Sequence, residues 1–271
     1  MPIITLTTDW KNSDYYIGAV KGRILKNCAN ANIIDISHQI GSFNILQASI
    51  VLRNSYTQFP DKTVHVIGVS ESAKSNEYLV VEAHNQFFVG ADNGIFGLLF
   101  DEEPTKIVSL DKSLTENAST FVTLNVLAEA ATMVANGKKL EQIGQEKTDY
   151  LKSIPIMPAI EESMINGSVV YIDSFSNAIT NINRELFIDI GKQRAFEIFV
   201  QSNHYKLNTV KENYYHVPVG ELVAVFNSAD LLEIAINQGN AAELLNLSVN
   251  SAVRVKFFEG TSMPQLKLFN N

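Results

Sequence analysis

The stretch PIITLTTDWKNSDYYIGAVKGRILKNCANANIIDISHQI, Pro2–Ile40, decides the fold class. Ile3 to Thr7 is a β-branched run that closes on Thr8-Asp9, a composition that suits a pleated strand. A polar loop, Trp10 to Ser13, leads to Asp14 as a helix N-cap, and Tyr15 to Lys26 then carries apolar residues at helical spacing. Ala31 to Ile36 is a second apolar strand, closed by Ser37-His38. Strand, helix and strand in that order predict a βαβ unit with parallel pairing.

The same rhythm continues outward. Phe43 to Phe59 is amphipathic with a helical period and is stopped by Pro60, and Thr63 to Val69 is a third strand. Tyr78 to Ala83 and Gln86 to Val89 read as a hairpin around His84-Asn85, followed by a tight Gly90 to Gly94 turn that itself suggests a hairpin. Thr120 to Asn136 reads as one long helix with Gly137 just past its end. This predicts an α/β N-terminal domain over 1–155 with a mostly parallel sheet. After the aperiodic stretch around Pro155 and Pro158 the texture changes to short strands: Ser168 to Ile172, Ala195 to Val200, Leu222 to Phe226 and Ala252 to Phe258. With one short helix at Asn240 to Leu247, they predict a smaller all-β, barrel-like C-terminal domain over 160–271.

Twenty-one Lys and Arg against 29 Asp and Glu give a formal charge of −8, with basic residues scattered. A nucleic-acid surface needs a clustered basic stripe, so no nucleic-acid partner is expected. No apolar run reaches membrane-spanning length and the N-terminus reads as a strand, so no membrane association and a cytoplasmic location are expected. The single cysteine, Cys28, allows no intrachain disulfide, and the five histidines, His38, His65, His84, His204 and His216, show no HxH, HxxxH or HExxH spacing. No metal site is expected. GxGxxG, GxxxxGK[ST] and GxSxG are all absent.

The chemistry-bearing candidates lie at strand ends. Asp9 follows the first strand, where an α/β sheet faces its ligand crevice, and its two oxygens can accept from vicinal ribose hydroxyls; a simple Asp turn is the alternative. GSVVYIDSFSNAITNI, Gly167–Ile182, opens as a strand and then sets Asp173, Phe175 and Asn177 at alternate positions. In an extended chain these three share a face. A carboxylate for an ammonium, a ring for a base and an amide for a purine edge form a nucleoside-plus-amino-acid recognition set; a strand ending in a polar turn reads equally well. Phe226-Asn227-Ser228 ends another strand and could present Asn227 and Ser228 to a ligand. Asp92-Asn93 could line a cleft from their tight turn, Ser119-Thr120 could cap the long helix or leave its free N–H groups to an anion, and His38 is either an acid–base group or a structural histidine.

These segments resemble, almost end to end, the S-adenosyl-L-methionine hydroxide adenosyltransferase family, which also contains fluorinases and chlorinases. The resemblance rests on TLTTD with DYYIGAVKG (Thr5–Asp9, Asp14–Gly22), IIDISHQI (Ile33–Ile40), FP with TVHV (Phe59–Pro60, Thr63–Val66), FVGADNGIF (Phe88–Phe96), YIDSFSNAITNI (Tyr171–Ile182) and FNSADLLEIAINQGNAAELL (Phe226–Leu245). It implies an α/β domain followed by a barrel-like one, and a homotrimer with its ligand site at a subunit interface. It also implies a nucleoside ligand, with S-adenosyl-L-methionine as substrate and no further cofactor. Residue by residue, it would have Asp9 hold the ribose hydroxyls. Asp173 would take the methionine ammonium, with Ser228 nearby, Phe175 would stack on adenine, and Asn177 would read its edge.

The chain departs from the family on the nucleophile side. Where the water-using members carry a VDPGVG…R loop, this chain has Val69-Ser70-Glu71-Ser72-Ala73-Lys74, with Glu77 near the expected arginine; where they carry TFHGRD, it has Thr120-Phe121-Val122-Thr123-Leu124-Asn125. The implied water-positioning Asp, Arg and His thus fall on Ser70, Glu77 and Val122. Ser70 and Thr123 are left as the catalytic candidates, each a hydroxyl able to hold a water. The displacement at C5′ has a neutral leaving group, so it needs an aligned, desolvated nucleophile rather than an acid. Three readings follow: an adenosyltransferase to water, a nucleoside-binding protein with little turnover, or an enzyme using another nucleophile such as halide at Thr123.

Overall fold

A computed structural model describes residues 1–72, 77–116, 120–202 and 205–262. Ala73, Lys74, Ser119 and His204 of the readings above lie outside these. The chain divides into two compact units, Met1–Pro155 and the part from Ile156 onward.

The first unit is built on β1 (Ile3–Thr8), α1 (Tyr16–Asn27), β2 (Asn32–Ser37), α2 (Ile45–Tyr56), β3 (Val64–Gly68), β4 (Tyr78–Ala83), β5 (Gln86–Ala91), α3 (Ile95–Leu99), β6 (Lys106–Leu110), α4 (Lys112–Thr115), α5 (Ala128–Ala135) and β7 (Gly144–Glu146). Its sheet runs in the order β2-β1-β3-β5-β4-β6-β7. The expected β1–α1–β2 unit is present, and β2, β1, β3 and β5 pair in parallel. The other three pairings are antiparallel, so the sheet is mixed rather than mostly parallel. The hairpin at His84-Asn85 causes the change. Both residues take left-handed φ, 51° and 59°, which suits the twist of a two-residue turn, and β4 inserts antiparallel to β5.

The central strands are buried on both faces, as parallel strands under helices must be. Ile4, Leu6, Val64 and Val66 pack under α1 and α5, whereas Ile67, Phe88 and Leu79 pack with Leu52 and Ala48 of α2. Asn44 caps α2 by accepting from the Gln47 N–H at 2.9 Å. Asp14 does not cap α1; the residue preceding that helix is Tyr15, without a side-chain cap. Asn93-Gly94 opens α3 instead of closing a hairpin, with the Asn93 Oδ1 accepting from the Ile95 N–H. The predicted long helix begins with a π turn, Thr123–Leu127, before α5. Gly137, at φ 83°, ends it as expected: Gly137 N–H bonds to Val134 and Lys138 N–H to Met133.

The second unit holds β8 (Ala159–Glu161), β9 (Met164–Ile172), β10 (Ala178–Asn183), α6 (Arg184–Gly191), β11 (Arg194–Val200), β12 (Tyr205–Leu207), β13 (Val210–Lys211), β14 (Leu222–Phe226), β15 (Leu231–Ile236), α7 (Ala241–Leu244) and β16 (Ala252–Ser262). The order is β12-β11-β16-β9-β10-β15-β14-β13, with β8 on β9. β12 also meets β14 near the other end of that order, so the sheet nearly closes on itself. The unit is not all-β. Asn183 accepts from the Leu186 N–H and starts α6, whose Phe187 packs edge-on against Phe196, Phe226 and Phe257. Among the described residues no helix is long and apolar enough to cross a membrane.

Candidate functional site

In the first unit the polar groups gather at the carboxyl ends of β1 and β3. Asp9 follows β1, and its Oδ2 accepts from the Phe43 N–H at 2.8 Å and from the Ser70 N–H at 3.3 Å. One carboxylate thus ties together the loops after β1, β2 and β3. Its Oδ1 takes no bond from the described residues. Ser70 has φ 48°, and Asn93 Nδ2 donates to the carbonyls of Val69 and Ser70, which fixes that turn. Asn93 is therefore a brace. Asp92 is buried too, accepting from the Leu151 N–H at 2.9 Å.

The turn delivers Glu71 to the start of the Thr123 helix. Its Oε1 accepts from the Val122 N–H at 3.2 Å, and its Oε2 from the Thr123 N–H at 2.9 Å and from the Thr123 hydroxyl. N–H groups in a first helical turn lack intrahelical acceptors, and here a carboxylate supplies one. Burial pushes the Glu71 carboxyl up, against the pull of these donors, and the nearby Asp9 charge adds to the rise. Thr123 is fully buried with its hydroxyl committed to Glu71. Val122 contributes only a backbone N–H.

Trp10, Tyr16 and Phe121 stand beside these groups as an aromatic wall. Trp10 meets Phe121 edge-on at 5.2 Å, and Tyr16 meets it at 4.9 Å. Gly68 lets Trp10 and Thr123 approach β3: a Cβ there would lie 2.7 Å from Trp10 Cζ2 and 2.9 Å from Thr123 Oγ1. His38 is held by Thr8, with Nδ1 2.7 Å from its Oγ1, and Nε2 lies 3.2 Å from Asp35 Oδ1. His65 is a buried structural histidine between Thr5 and Gln86, both at 2.7 Å, and stacks on Phe88. Burial takes its pKa down to about 4.

In the second unit, Asp173, Phe175 and Asn177 do not continue an extended strand. β9 ends at Ile172, and the five residues to Asn177 turn the chain into β10. Asp173 makes the turn itself. Its Oδ1 accepts from the Phe175 and Asn177 N–H groups at 2.9 and 2.8 Å, and its Oδ2 from the Asn177 amide at 3.1 Å. Short Asx-type bonds of this kind compete successfully with the ladder. Phe175 is 74% exposed, whereas Asn177 is buried.

Asn227 sits in the turn between β14 and β15, accepting from the Ala229 and Leu231 N–H groups and donating to Glu233 at 3.0 Å; Ser228 is exposed on that turn. Glu233 is buried and also accepts from the Tyr214 hydroxyl at 2.8 Å. Burial raises the Glu233 carboxyl, and the negative charge of Asp173 raises it further. Burial likewise holds the Tyr214 hydroxyl protonated, helped by the Glu233 carboxylate it donates to. Asp173 thus belongs to a cluster with Glu233, Asn227 and Tyr214.

Glu71 and Glu233 are the two groups that sequence reading missed. Each carried a signal. Glu71 lies three residues past a buried strand, on the carboxyl side where α/β sheets present ligand groups. Glu233 is a charge inside the apolar run LLEIAI, and such a charge is rarely buried unpaired. Among the described residues no three His, Cys, Asp or Glu side chains gather as metal ligands do.

Models of the SAM hydroxide adenosyltransferase N-terminal and C-terminal domains match residues 4–144 and 167–254. The chain belongs to the SAM hydroxide adenosyltransferase family. A relative from Methanocaldococcus jannaschii, called an (R)-S-adenosyl-L-methionine hydrolase, is 30% identical over 94% of this chain and 96% of its own. A Thermus thermophilus protein of the same name is 26% identical over 92% and 97%. A fluorinase from Actinopolyspora mzabensis is 21% identical over 94% and 97%. Among solved structures, an uncharacterized conserved protein from Thermotoga maritima superposes with a TM-score of 0.84 at 29% identity, covering 94% of this chain and 99% of that one. Within the adenosyltransferase family, then, this chain joins the Ser70-Glu71 turn to the Val122-Thr123 helix start through the Glu71 carboxylate.

Proposed function

We propose that this chain hydrolyses S-adenosyl-L-methionine to adenosine and L-methionine by attack of water at the ribose C5′. The observation that carries the reading is the match over nine-tenths of the chain to relatives named (R)-S-adenosyl-L-methionine hydrolase, joined to a first unit whose Asp9 has, at the strand ends, a carboxylate oxygen that takes no bond from the described residues. In this reading Asp9 accepts from the ribose hydroxyls, which bind a carboxylate through both O–H groups. The exposed Phe175 ring stacks on adenine, and Asn177 reads the adenine edge. Asp173 takes the methionine ammonium, and Asn227 and Ser228 complete the amino-acid end. Ser70 helps to shape the water's surroundings, with Thr123 behind it. No cofactor is required, because the sulfonium is its own leaving group. The chain works as a cytoplasmic homotrimer with its site at a subunit interface.

Incubation with S-adenosyl-L-methionine and chromatography for adenosine tests the reaction. Adenosine should accumulate in proportion to protein. Adenosine binding by calorimetry without adenosine formation would leave a binding protein instead. A second reading, halide as nucleophile, is disfavoured by Glu71, because its carboxylate already occupies the Thr123 N–H and hydroxyl donors that an anion would need. Light scattering that gave a monomer would dismiss the trimer.

A further inference from the structure

A glutamate in a loop is ordinarily solvated and free to move. Glu71 is half-buried and held in place: three donors fix it, the Val122 and Thr123 N–H groups and the Thr123 hydroxyl. An ionised carboxylate offers about four lone-pair directions, so one remains for a water. The residue before it, Ser70, donates its N–H to Asp9, so the carboxylate offered to the ribose and the Glu71 carboxylate share one short rigid segment. The titratable groups facing Glu71 among the described residues are Asp9 after β1, Tyr16 of α1 and Tyr78 of β4. All are acids, and no cation among them holds Glu71 permanently ionised.

We propose that Glu71 is the catalytic residue that orients the attacking water and takes its proton. The inference rests on the hydrolysis reading above. A water lone pair forms the bond to C5′ as the C5′–S bond breaks, and that bond's electron pair returns to sulfur, leaving a neutral thioether. The water's proton passes to the Glu71 carboxylate and later to solvent. The positive charge of the sulfonium and the negative charge of Glu71 cancel, so no other co-reactant is needed. Thr123 and the Val122 N–H are positioning groups that hold the carboxylate in one rotamer. A carboxyl raised by burial is also a better proton acceptor than a solvated one.

The test compares wild type with Glu71→Gln, which keeps the shape and cannot take the proton. Adenosine formation is followed against pH and substrate concentration, and adenosine binding is measured by calorimetry. Glu71→Gln should lose roughly 10²–10⁴-fold in kcat with KM and adenosine affinity little changed. Wild-type kcat should fall on the acid side as Glu71 takes a proton, and the variant should lack that limb. Thr123→Val removes a donor that favours the charged form, so its acid limb should move to higher pH. A purely structural Glu71 would leave the limb in place. Near-wild-type kcat in Glu71→Gln, or an unchanged acid limb, would overturn the assignment, as would parallel loss of turnover and adenosine binding. Wild-type protein that binds adenosine but forms none would instead defeat the hydrolysis reading, and the assignment with it.

Discussion

Gly68→Ala adds one methyl group where β3 meets the candidate site. The new Cβ would lie 2.7 Å from Trp10 Cζ2, 2.9 Å from Thr123 Oγ1 and 3.2 Å from Thr8 Cγ2. Ordinary contact begins near 3.4 Å, so Trp10 must retreat by about 0.7 Å and Thr123 by about 0.5 Å. Neither has room. Trp10 is wedged against Tyr16 and Phe121, and Thr123 is fully buried and bonded to Glu71. Overpacking of this kind costs about 1–3 kcal/mol, which for a chain of this size lowers Tm by roughly 2–10 °C. The shift also drags Thr123 from Glu71, and a misplacement approaching 1 Å costs up to about 10²-fold in rate. Gly18→Ala is the matched control. It sits within α1 with nothing within 4 Å of its added Cβ, and should gain up to about 1 kcal/mol from the lost flexibility of glycine. Differential scanning fluorimetry and adenosine release give both readouts. Gly68→Ala indistinguishable from Gly18→Ala in Tm and turnover would refute the packing around Gly68 and the link from Thr123 to Glu71.

Two further outcomes test other parts of the molecule. Phe175→Ala removes an exposed ring from a turn that Asp173 holds without it, so Tm should stay within error while adenosine affinity drops by about 1–3 kcal/mol, the worth of one stacked base; unchanged affinity in calorimetry would remove Phe175 from the site. His65 should make the fold acid-labile: its folded pKa of about 4 lies below the unfolded 6.5, so the unfolded chain takes the proton first and stability falls as pH drops through that window. Urea unfolding should show about 2 kcal/mol lost to this group between pH 7 and pH 5, and His65→Gln, which cannot titrate, should lose that slope.

Much of the fold was legible because its signals are local. The alternation of β-branched runs with helical spacing marks β1, α1, β2, α2 and β3, and His84-Asn85 marks a tight turn through its own φ preferences. What failed depended on partners. The hairpin fixes β4 antiparallel to β5, but its place between β5 and β6 is decided by sheet order, and the pairing of β6 and β7 beyond it leaves no mark on their own residues. Helix α6 was overlooked because eight residues between two strands are too short for a clear period; Phe187 packing on Phe196 and Phe257 is what holds it.

At the candidate site the division is sharper. Residue types and their order were enough to assign the family and to single out Asp9, Asp173 and Phe175 as polar or aromatic groups at strand ends. Their geometry was not in the order of residues. Alternation placed Asp173, Phe175 and Asn177 on one strand face, but the Asp173 carboxylate bonds the N–H groups just after it and bends them into a turn. Glu71 reads in sequence as a replacement in an altered loop. Only when residues more than fifty positions apart fold together does the helix start at Val122 and Thr123 offer it three donors. Chain composition sets which groups exist and which backbone they favour locally. Burial and long-range hydrogen bonds set whether a carboxylate is solvated and inert or held and poised to take a proton, because desolvation and donor geometry exist only once the chain has closed around the group.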